Sequence, residues 1–185
     1  MKKNRTAAIA HVLWVEGGFT NHPFDGGGPT KYGITLRVLS RHLKREATIE
    51  ELQELSGDVA EAIYAGQYWE PARCDELSGG IDLMFFDAVV HAGQGQATRW
   101  LQRAINIQGR HSLEEDGVLG SRTIAAAGEV YPENLVQRMA LYRIMEAFDD
   151  PDDVHFARGW VDRVLKTAVR AAVLNCPRNE KEDRA

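Results

Sequence analysis

The chain lacks the residue patterns of a metalloprotein or a disulfide-rich protein. It has 185 residues and only two cysteines, Cys74 and Cys176, in distant parts of the sequence. They form neither a CxxC motif nor the paired spacing of a zinc site. The six histidines show no ligand spacing such as HExxH. We therefore expect no metal, no cofactor and two independent thiols, although the sequence alone also allows a disulfide between the two cysteines.

An excess of positive charge and long apolar runs are missing as well. Lysine and arginine total 22 against 27 acidic residues, which gives a formal net charge of −5. Because proteins that bind nucleic acid usually carry a basic stripe, we expect no nucleic-acid partner. No segment approaches the roughly twenty apolar residues of a membrane-spanning helix, so we expect no stable membrane insertion.

The N-terminus does not have the features of a secretory signal peptide. Lys2, Lys3 and Arg5 resemble a positively charged n-region, but the apolar run after them is short and is interrupted by His11. A clear small-residue cleavage site is missing too. We therefore expect residues 6–16 to form the first helix of the mature fold.

Strand signals are scarce, and helix signals dominate the sequence. We predict an all-α fold of about eight helices with a small irregular β-hairpin in a glycine-rich loop. Thr35 and Asp58 are predicted N-caps, and Thr48 with Glu51 is a predicted capping box. The segment IDLMFFDAVVHAG, residues 81–93, is apolar on nearly all sides and predicts a buried central helix.

Residues 16–35, EGGFTNHPFDGGGPTKYGIT, are unusually rich in glycine. Glycine packs nothing and costs backbone entropy, so this stretch predicts tight turns or a close approach to another group. Its only acidic residues are Glu16 and Asp25. Glu16 ends an apolar stripe that includes Ile9, and desolvation there would raise the pKa of Glu16, whereas free N–H groups in the loop would keep Asp25 ionised.

Two carboxyl groups with different pKa values are the acid and base arrangement of glycoside hydrolysis. Glu16 would protonate the glycosidic oxygen, and Asp25 would stabilise the positive charge on the sugar or orient a water. The hydroxyl of Thr30 could hold that water. A glutamate at a helix end and a DGGG turn are more often ordinary surface features, so these residues alone leave the catalytic interpretation open.

The glycine-rich stretch resembles the signature of glycoside hydrolase family 108, which comprises bacterial and phage N-acetylmuramidases. That signature runs Glu-Gly-Gly and then Asp-x-Gly-Gly-x-Thr-x-x-Gly-Ile-Thr, and residues 16–18 and 25–35 match it. YAGQYWEPARCDEL resembles a further family block, and LMFFDAVVHAG resembles the family's central helix, with His91 where the family usually has Asn. LQRAINI, DGVLGSRTIAA and FARGWVDRV resemble the peptidoglycan-binding module that normally follows.

The resemblance implies a lysozyme-like fold and cleavage of the bond between N-acetylmuramic acid and N-acetylglucosamine, with Glu16 as the catalytic acid. It implies peptidoglycan strands as the partner of a monomeric enzyme, either a phage endolysin or an activator of secretion. We expect a catalytic region at 1–93, a peptidoglycan-binding-like region at 94–176 and a flexible tail at 177–185. Without a signal peptide, the protein would be made in the cytoplasm and act on the wall, in the periplasm, after release or export.

Several residues are candidates for contact with the glycan. Tyr32, Tyr68 and Trp69 are aromatic, and their rings suit the C–H faces of sugars; Thr35 and His91 complete this set. Three alternatives stay open: a lytic transglycosylase, a non-catalytic protein that binds the wall or assists secretion, and a helical interaction protein with a fortuitous motif. Analysis of the reaction products and of wall binding would separate them.

Overall fold

The computed structural model describes residues 4–21, 28–148 and 154–175, with only the backbone of 154–156. This part of the chain contains nine α-helices and one small antiparallel sheet, which confirms the predicted all-α fold with a minor β element. The chain divides into two compact units, one of residues 5–71 and one that contains residue 4 and the chain from residue 72 onward.

The N-terminal unit consists of helices around a three-stranded sheet of order β1-β2-β3. Its first helix packs against its last helix and the π-helical turn that follows. Fully buried apolar side chains of this unit include Ile9, Ile34 and Ile63. In chain order the elements are α1 (Arg5–Glu16), β1 (Phe19–Thr20), β2 (Thr30–Lys31), β3 (Ile34–Thr35), α2 (Leu36–Leu43), α3 (Ile49–Gln53), α4 (Gly57–Tyr64) and a π-helical turn (Ala65–Trp69).

Two predicted helix caps are confirmed. Thr35 precedes α2, and its Oγ1 accepts a hydrogen bond from the N–H of Val38 at 3.3 Å. Thr48 and Glu51 form a complete capping box at the start of α3. The N–H of Thr48 donates to Oε2 of Glu51 at 3.0 Å, and the N–H of Glu51 donates to Oγ1 of Thr48 at 3.2 Å. These caps satisfy backbone N–H groups that have no partner inside the helix.

The predicted cap at Asp58 is wrong. Helix α4 begins at Gly57, and the hydroxyl of Ser56 accepts the hydrogen bond from the N–H of Val59 at 3.3 Å. Ser56 has the extended backbone of an N-cap, so Asp58 is the second residue of the helix. A carboxylate in the first turn also interacts favourably with the helix dipole. An aspartate near a helix start is therefore expected both at the cap and just inside the helix, and the sequence pattern alone does not distinguish the two positions.

The C-terminal unit is a helical assembly around one buried helix. Ile81–Val89 of α5 are all buried, which confirms the predicted central helix. Helices α6, α8 and α9 pack around it, because a helix that is apolar on all sides needs neighbours on all sides. The elements are a short 3-10 helix (Cys74–Glu76), α5 (Ile81–Ala92), α6 (Gln94–Asn106), α7 (Ser121–Gly128), α8 (Pro132–Glu146) and α9 (Val154–Asn175).

The compact units divide the chain after Pro71, whereas the catalytic region was predicted to end at residue 93. The difference lies in α5, whose burial is provided by the helices that follow it.

Cys74, at the start of the C-terminal unit, is a buried free thiol. Burial raises its pKa, and the negative charges of Asp82 and Asp75 add to that effect. Cys176 lies outside the described residues.

A buried ion cluster fixes α5 against α8 and α9. The carboxylate of Asp87 on α5 is fully buried and accepts hydrogen bonds from Arg143 at 2.7 Å and from Arg163 at 2.9 Å. Burial alone would raise the pKa of Asp87, but the two guanidinium groups outweigh it and hold that pKa below its ordinary value. The cluster therefore contains an ionised aspartate.

The loop that contains the DGVLG sequence is held by one buried side chain. The amide of Gln102 on α6 donates to Oδ1 of Asp116 at 2.8 Å and accepts from the N–H of Gly117 at 3.1 Å. Gly117 has a φ of +80°, and a Cβ there would lie 2.9 Å from the carbonyl oxygen of Gly95. These residues therefore shape the loop that leads into α7.

None of the described helices is both long and apolar enough to cross a membrane.

Candidate active site

Glu16 is the last residue of α1, where the chain turns into the sheet. Gly17 ends the helix with a φ of +77°, and its N–H donates to the carbonyl oxygen of Leu13 at 3.2 Å. A left-handed glycine directly after the last helical residue is a common helix stop. The carbonyl oxygen of Gly17 accepts a hydrogen bond from the N–H of Tyr32 at 3.1 Å. This bond ties the end of the helix, and with it the half-buried Glu16, to the β2–β3 hairpin.

The β2–β3 hairpin turns at Tyr32 and Gly33. Lys31 pairs with Ile34, so the loop has two residues. Both have positive φ, +53° for Tyr32 and +71° for Gly33, as a type I′ turn requires. Glycine adopts this conformation easily, whereas a tyrosine there is uncommon and must be held by its surroundings.

The backbone of this turn lies against the carboxyl group of Glu16. A Cβ placed on Gly33 would lie 2.5 Å from Oε2 of Glu16, 2.7 Å from its Cδ and 2.9 Å from Oη of Tyr64. A side chain at position 33 would therefore force Glu16 or Tyr64 to move. Tyr64, which is buried in α4, donates a hydrogen bond from its hydroxyl to the carbonyl oxygen of Tyr32 at 2.7 Å. Glycine is thus required at position 33 both for its φ and for the space that Glu16 and Tyr64 occupy.

Tyr68 lies half-buried in the π-helical turn, with its ring 5.3 Å from that of Tyr64. Burial raises the pKa of the Tyr68 phenol; the positive charge of Arg41 opposes this, the negative charge of Glu16 adds to it, and Arg37 opposes it. Tyr68 is therefore within electrostatic reach of the carboxyl group and of two cations. A π-helical segment often re-aims side chains at functional sites.

The two arginines were not among the residues that the sequence predicted for the site. Arg37 and Arg41 are four positions apart on α2 and so lie on one face of that helix. Arg41 donates to the side-chain oxygen of Gln67, in the π-helical turn, at 3.4 Å. The i, i+4 spacing of two basic residues just after the glycine-rich stretch is the signal that would have indicated them.

The other two predicted catalytic residues are Thr30 and Asp25. Thr30 lies in β2, and its Oγ1 is 3.0 Å from Oγ1 of Thr20 on β1. This cross-strand pair fixes the side chain of Thr30, and its predicted role in holding a water stays a prediction. Asp25 falls in the part of the glycine-rich stretch that lies outside the described residues.

Four of the five predicted glycan contacts lie in the N-terminal unit, and they divide into three groups. Tyr32 and Tyr68 are half-buried and belong to the neighbourhood of Glu16 described above. Thr35 is occupied as the cap of α2. Trp69 is only 1% exposed, in the turn that packs against α1, so its ring has no open face and the prediction that it stacks on a sugar does not fit this structure.

His91 lies on α5 in the C-terminal unit. Its ring meets that of Trp160 edge to face at a centroid distance of 5.4 Å. Much of the side chain is exposed, but loss of water around its covered part lowers the pKa of His91 to about 4. The positive charges of Arg143 and Arg163 contribute to this lowered value, and the negative charge of Asp87 opposes them. The imidazole is therefore neutral at pH 7.

Within the described ranges, no three His, Cys, Asp or Glu side chains gather where they could hold a metal ion. Comparison with known proteins adds the family. Residues 9–93 match the family model described as glycosyl hydrolase 108. This part of the chain is a glycosyl hydrolase 108 domain. Residues 96–165 match the family model described as a predicted peptidoglycan domain.

A comparison with curated proteins gave no match. Among solved structures, the chain is similar to the one titled "Structure of Brucella abortus SagA". The two are 29% identical with a TM-score of 0.82, and the match covers 96% of this chain and 99% of the other. The glycosyl hydrolase 108 match is followed by the peptidoglycan domain match. Together they indicate a glycoside hydrolase that acts on peptidoglycan.

Proposed function

We propose that this protein is an N-acetylmuramidase that hydrolyses the bond between N-acetylmuramic acid and N-acetylglucosamine. The observation that carries the proposal is the carboxyl group of Glu16, half-buried at the end of α1 and packed against Gly33 of the glycine-rich hairpin. A carboxyl group fixed in this way, inside a glycosyl hydrolase 108 match, suits a general acid.

In the proposed reaction, Glu16 gives its proton to the glycosidic oxygen as the bond breaks. Positive charge then develops on the sugar ring, in an oxocarbenium-like transition state. Asp25 is proposed to stabilise that charge or to orient the attacking water, and the hydroxyl of Thr30 to hold the water. The half-buried rings of Tyr32 and Tyr68 are proposed to contact sugar rings beside Glu16.

The peptidoglycan domain is proposed to keep the enzyme on the wall while the N-terminal unit cleaves the glycan. Tethering of this kind raises the local concentration of substrate without a new contact at the active site. The protein would act as a monomer in the periplasm after release or export. Its biological task would be wall opening, either in phage lysis or during secretion.

The proposal is tested with purified peptidoglycan and the Glu16→Gln variant, which keeps the size of the side chain but has no acidic proton to transfer. We expect Glu16→Gln to abolish the loss of turbidity while the circular dichroism spectrum stays unchanged. Glu54→Gln, which changes an exposed glutamate of the same unit, is the matched control and should keep full activity. Near-normal activity of Glu16→Gln would contradict the assignment.

Mass spectrometry of the products separates the alternatives. Hydrolysis adds one water to each cleaved bond, whereas a lytic transglycosylase forms an anhydro sugar with no added water. Products without added water would show that the enzyme is a lytic transglycosylase and would contradict its assignment as a hydrolase. Wall binding by the wild type without any product would indicate a non-catalytic accessory protein.

A further inference from the structure

The turn beside Glu16 is held on both sides of a single residue. The N–H of Tyr32 donates to the carbonyl oxygen of Gly17 at 3.1 Å, and the carbonyl oxygen of Tyr32 accepts from the hydroxyl of Tyr64 at 2.7 Å. That carbonyl belongs to the peptide that joins Tyr32 to Gly33, so the Tyr64 bond sets the orientation of this peptide plane. It therefore also sets the position of the Gly33 Cα.

The donor of this bond is itself fixed. Tyr64 is 2% exposed, and its ring packs on that of Tyr68. A buried ring cannot move without disturbing the core, so its hydroxyl is a stable reference point for the turn. The hydrogen bond opposes any relaxation of Tyr32 from its uncommon positive φ.

The part of the turn that faces Glu16 is the backbone of Gly33, which has no side chain. Carbon atoms normally approach each other to about 3.5–4.0 Å. A methyl group on Gly33 would lie 2.5 Å from Oε2 of Glu16 and 2.7 Å from its Cδ, so it would displace the carboxyl group by on the order of 1 Å. The carboxyl group is the far end of a flexible side chain, so it can give way while the fold survives. The same methyl group would lie 2.9 Å from Oη of the buried Tyr64, so the variant should lose some stability as well as catalytic geometry.

We infer that Gly33 and Tyr64 are positioning residues for the catalytic acid. The Tyr64 hydroxyl fixes the Tyr32–Gly33 peptide, and the bare Cα of Gly33 then forms one wall of the space that holds the Glu16 carboxyl group. Acids and bases that are held in this way lose less freedom on reaching the transition state. The inference rests on the proposed role of Glu16 as general acid.

The first test uses Gly33→Ala beside Gly109→Ala. Gly109 has a φ of +73°, close to the +71° of Gly33, but a Cβ there would meet nothing within 4 Å. Both variants should lower Tm, because both place alanine at a disfavoured φ, and Gly33→Ala should lower it further, because its Cβ also crowds Glu16 and Tyr64. Only Gly33→Ala should lose activity, with kcat on wall fragments about 10²-fold lower and apparent KM unchanged, as expected for a misplacement of about 1 Å.

The second test uses Tyr64→Phe, which keeps the ring and removes only the hydroxyl. We expect kcat to fall about tenfold at unchanged KM, since one hydrogen bond to the turn is lost. Tyr131→Phe, at a tyrosine that is 71% exposed, is the control and should be fully active. In the double variant Gly33→Ala/Tyr64→Phe the two losses should not multiply, because both act on the same carboxyl group.

The outcomes separate this inference from the proposed function. If Glu16→Gln is inactive while Gly33→Ala and Tyr64→Phe both keep kcat within about threefold of the wild type, the positioning role is overturned and the acid assignment stands. A rise in KM with unchanged kcat would also overturn it, because such a change indicates lost substrate binding. Activity retained by Glu16→Gln would remove the acid assignment and the inference together.

Discussion

Replacing Asp87 by asparagine should destabilise the protein more than almost any other single polar substitution. The Asp87 side chain is completely buried, and it compensates Arg143, whose side chain is 1% exposed, and Arg163, which is 12% exposed. Asparagine has nearly the same shape but no charge, so two buried guanidinium groups would lose their counter-ion. Breaking a buried ion pair from one side costs about 3–5 kcal/mol, and we expect Asp87→Asn to lie in that range.

The assay is urea unfolding followed by circular dichroism, with the free energy of unfolding obtained by linear extrapolation. Asp162→Asn is the matched control: Asp162 pairs with Lys166 one turn along α9, but their side chains are 60% and 46% exposed. A surface pair of this kind contributes less than about 0.5 kcal/mol. A loss below about 1 kcal/mol in Asp87→Asn would refute the view that the cluster holds an essential ionised aspartate.

The pH dependence of unfolding, compared between wild type and Asp87→Asn, tests the direction in which folding shifts the pKa of Asp87. Because the folded state holds the pKa of Asp87 below its ordinary value, the stabilisation is present above the unfolded pKa of about 3.9 and is lost as pH falls through the folded pKa. The difference in unfolding free energy between wild type and Asp87→Asn should therefore be constant near neutral pH and shrink below about pH 4. A difference that grows on acidification would contradict this reasoning.

Two smaller predictions concern a cap and a thiol. Ser56→Ala should lower the free energy of unfolding by about 1 kcal/mol because it removes the cap of α4, whereas Asp58→Ala should cost only about 0.3 kcal/mol; equal losses, measured by urea unfolding, would contradict the observed cap. The buried thiol of Cys74, whose raised pKa keeps it protonated, should react with a thiol reagent at pH 8 only after unfolding. The measurement uses Cys176→Ser so that one thiol is observed, and rapid labelling of the folded protein would contradict the burial.

The sequence predicts most clearly those features that depend on local pattern. The apolar segment of α5 is longer than a typical buried strand and apolar on nearly all sides, so its pattern predicts a buried helix. The hydroxyl groups of Thr35 and Thr48 precede helices at cap spacing, and both act as caps. The stop at Gly17 and the position of Glu16 at the end of α1 follow from the same local rules.

Features that depend on tertiary contact were beyond the sequence. Tyr32 adopts a positive φ because Gly17 and Tyr64 hold its backbone, and residue propensity alone disfavours that conformation. The π-helical turn changes the phase of the aromatic residues, so Trp69 is buried while Tyr68 stays half-exposed; a period of 3.6 residues does not give this result. The glycine at 33 was recognisable as a turn residue, but the side chain it lies against was not.

The central claim is tested most directly by digesting purified peptidoglycan in water enriched in heavy oxygen and locating the label in the products. The account predicts one heavy oxygen at the reducing end of N-acetylmuramic acid for each bond cleaved by the wild type, and no labelled product from Glu16→Gln. Label on N-acetylglucosamine ends, products without label, or equal labelling by Glu16→Gln would contradict it.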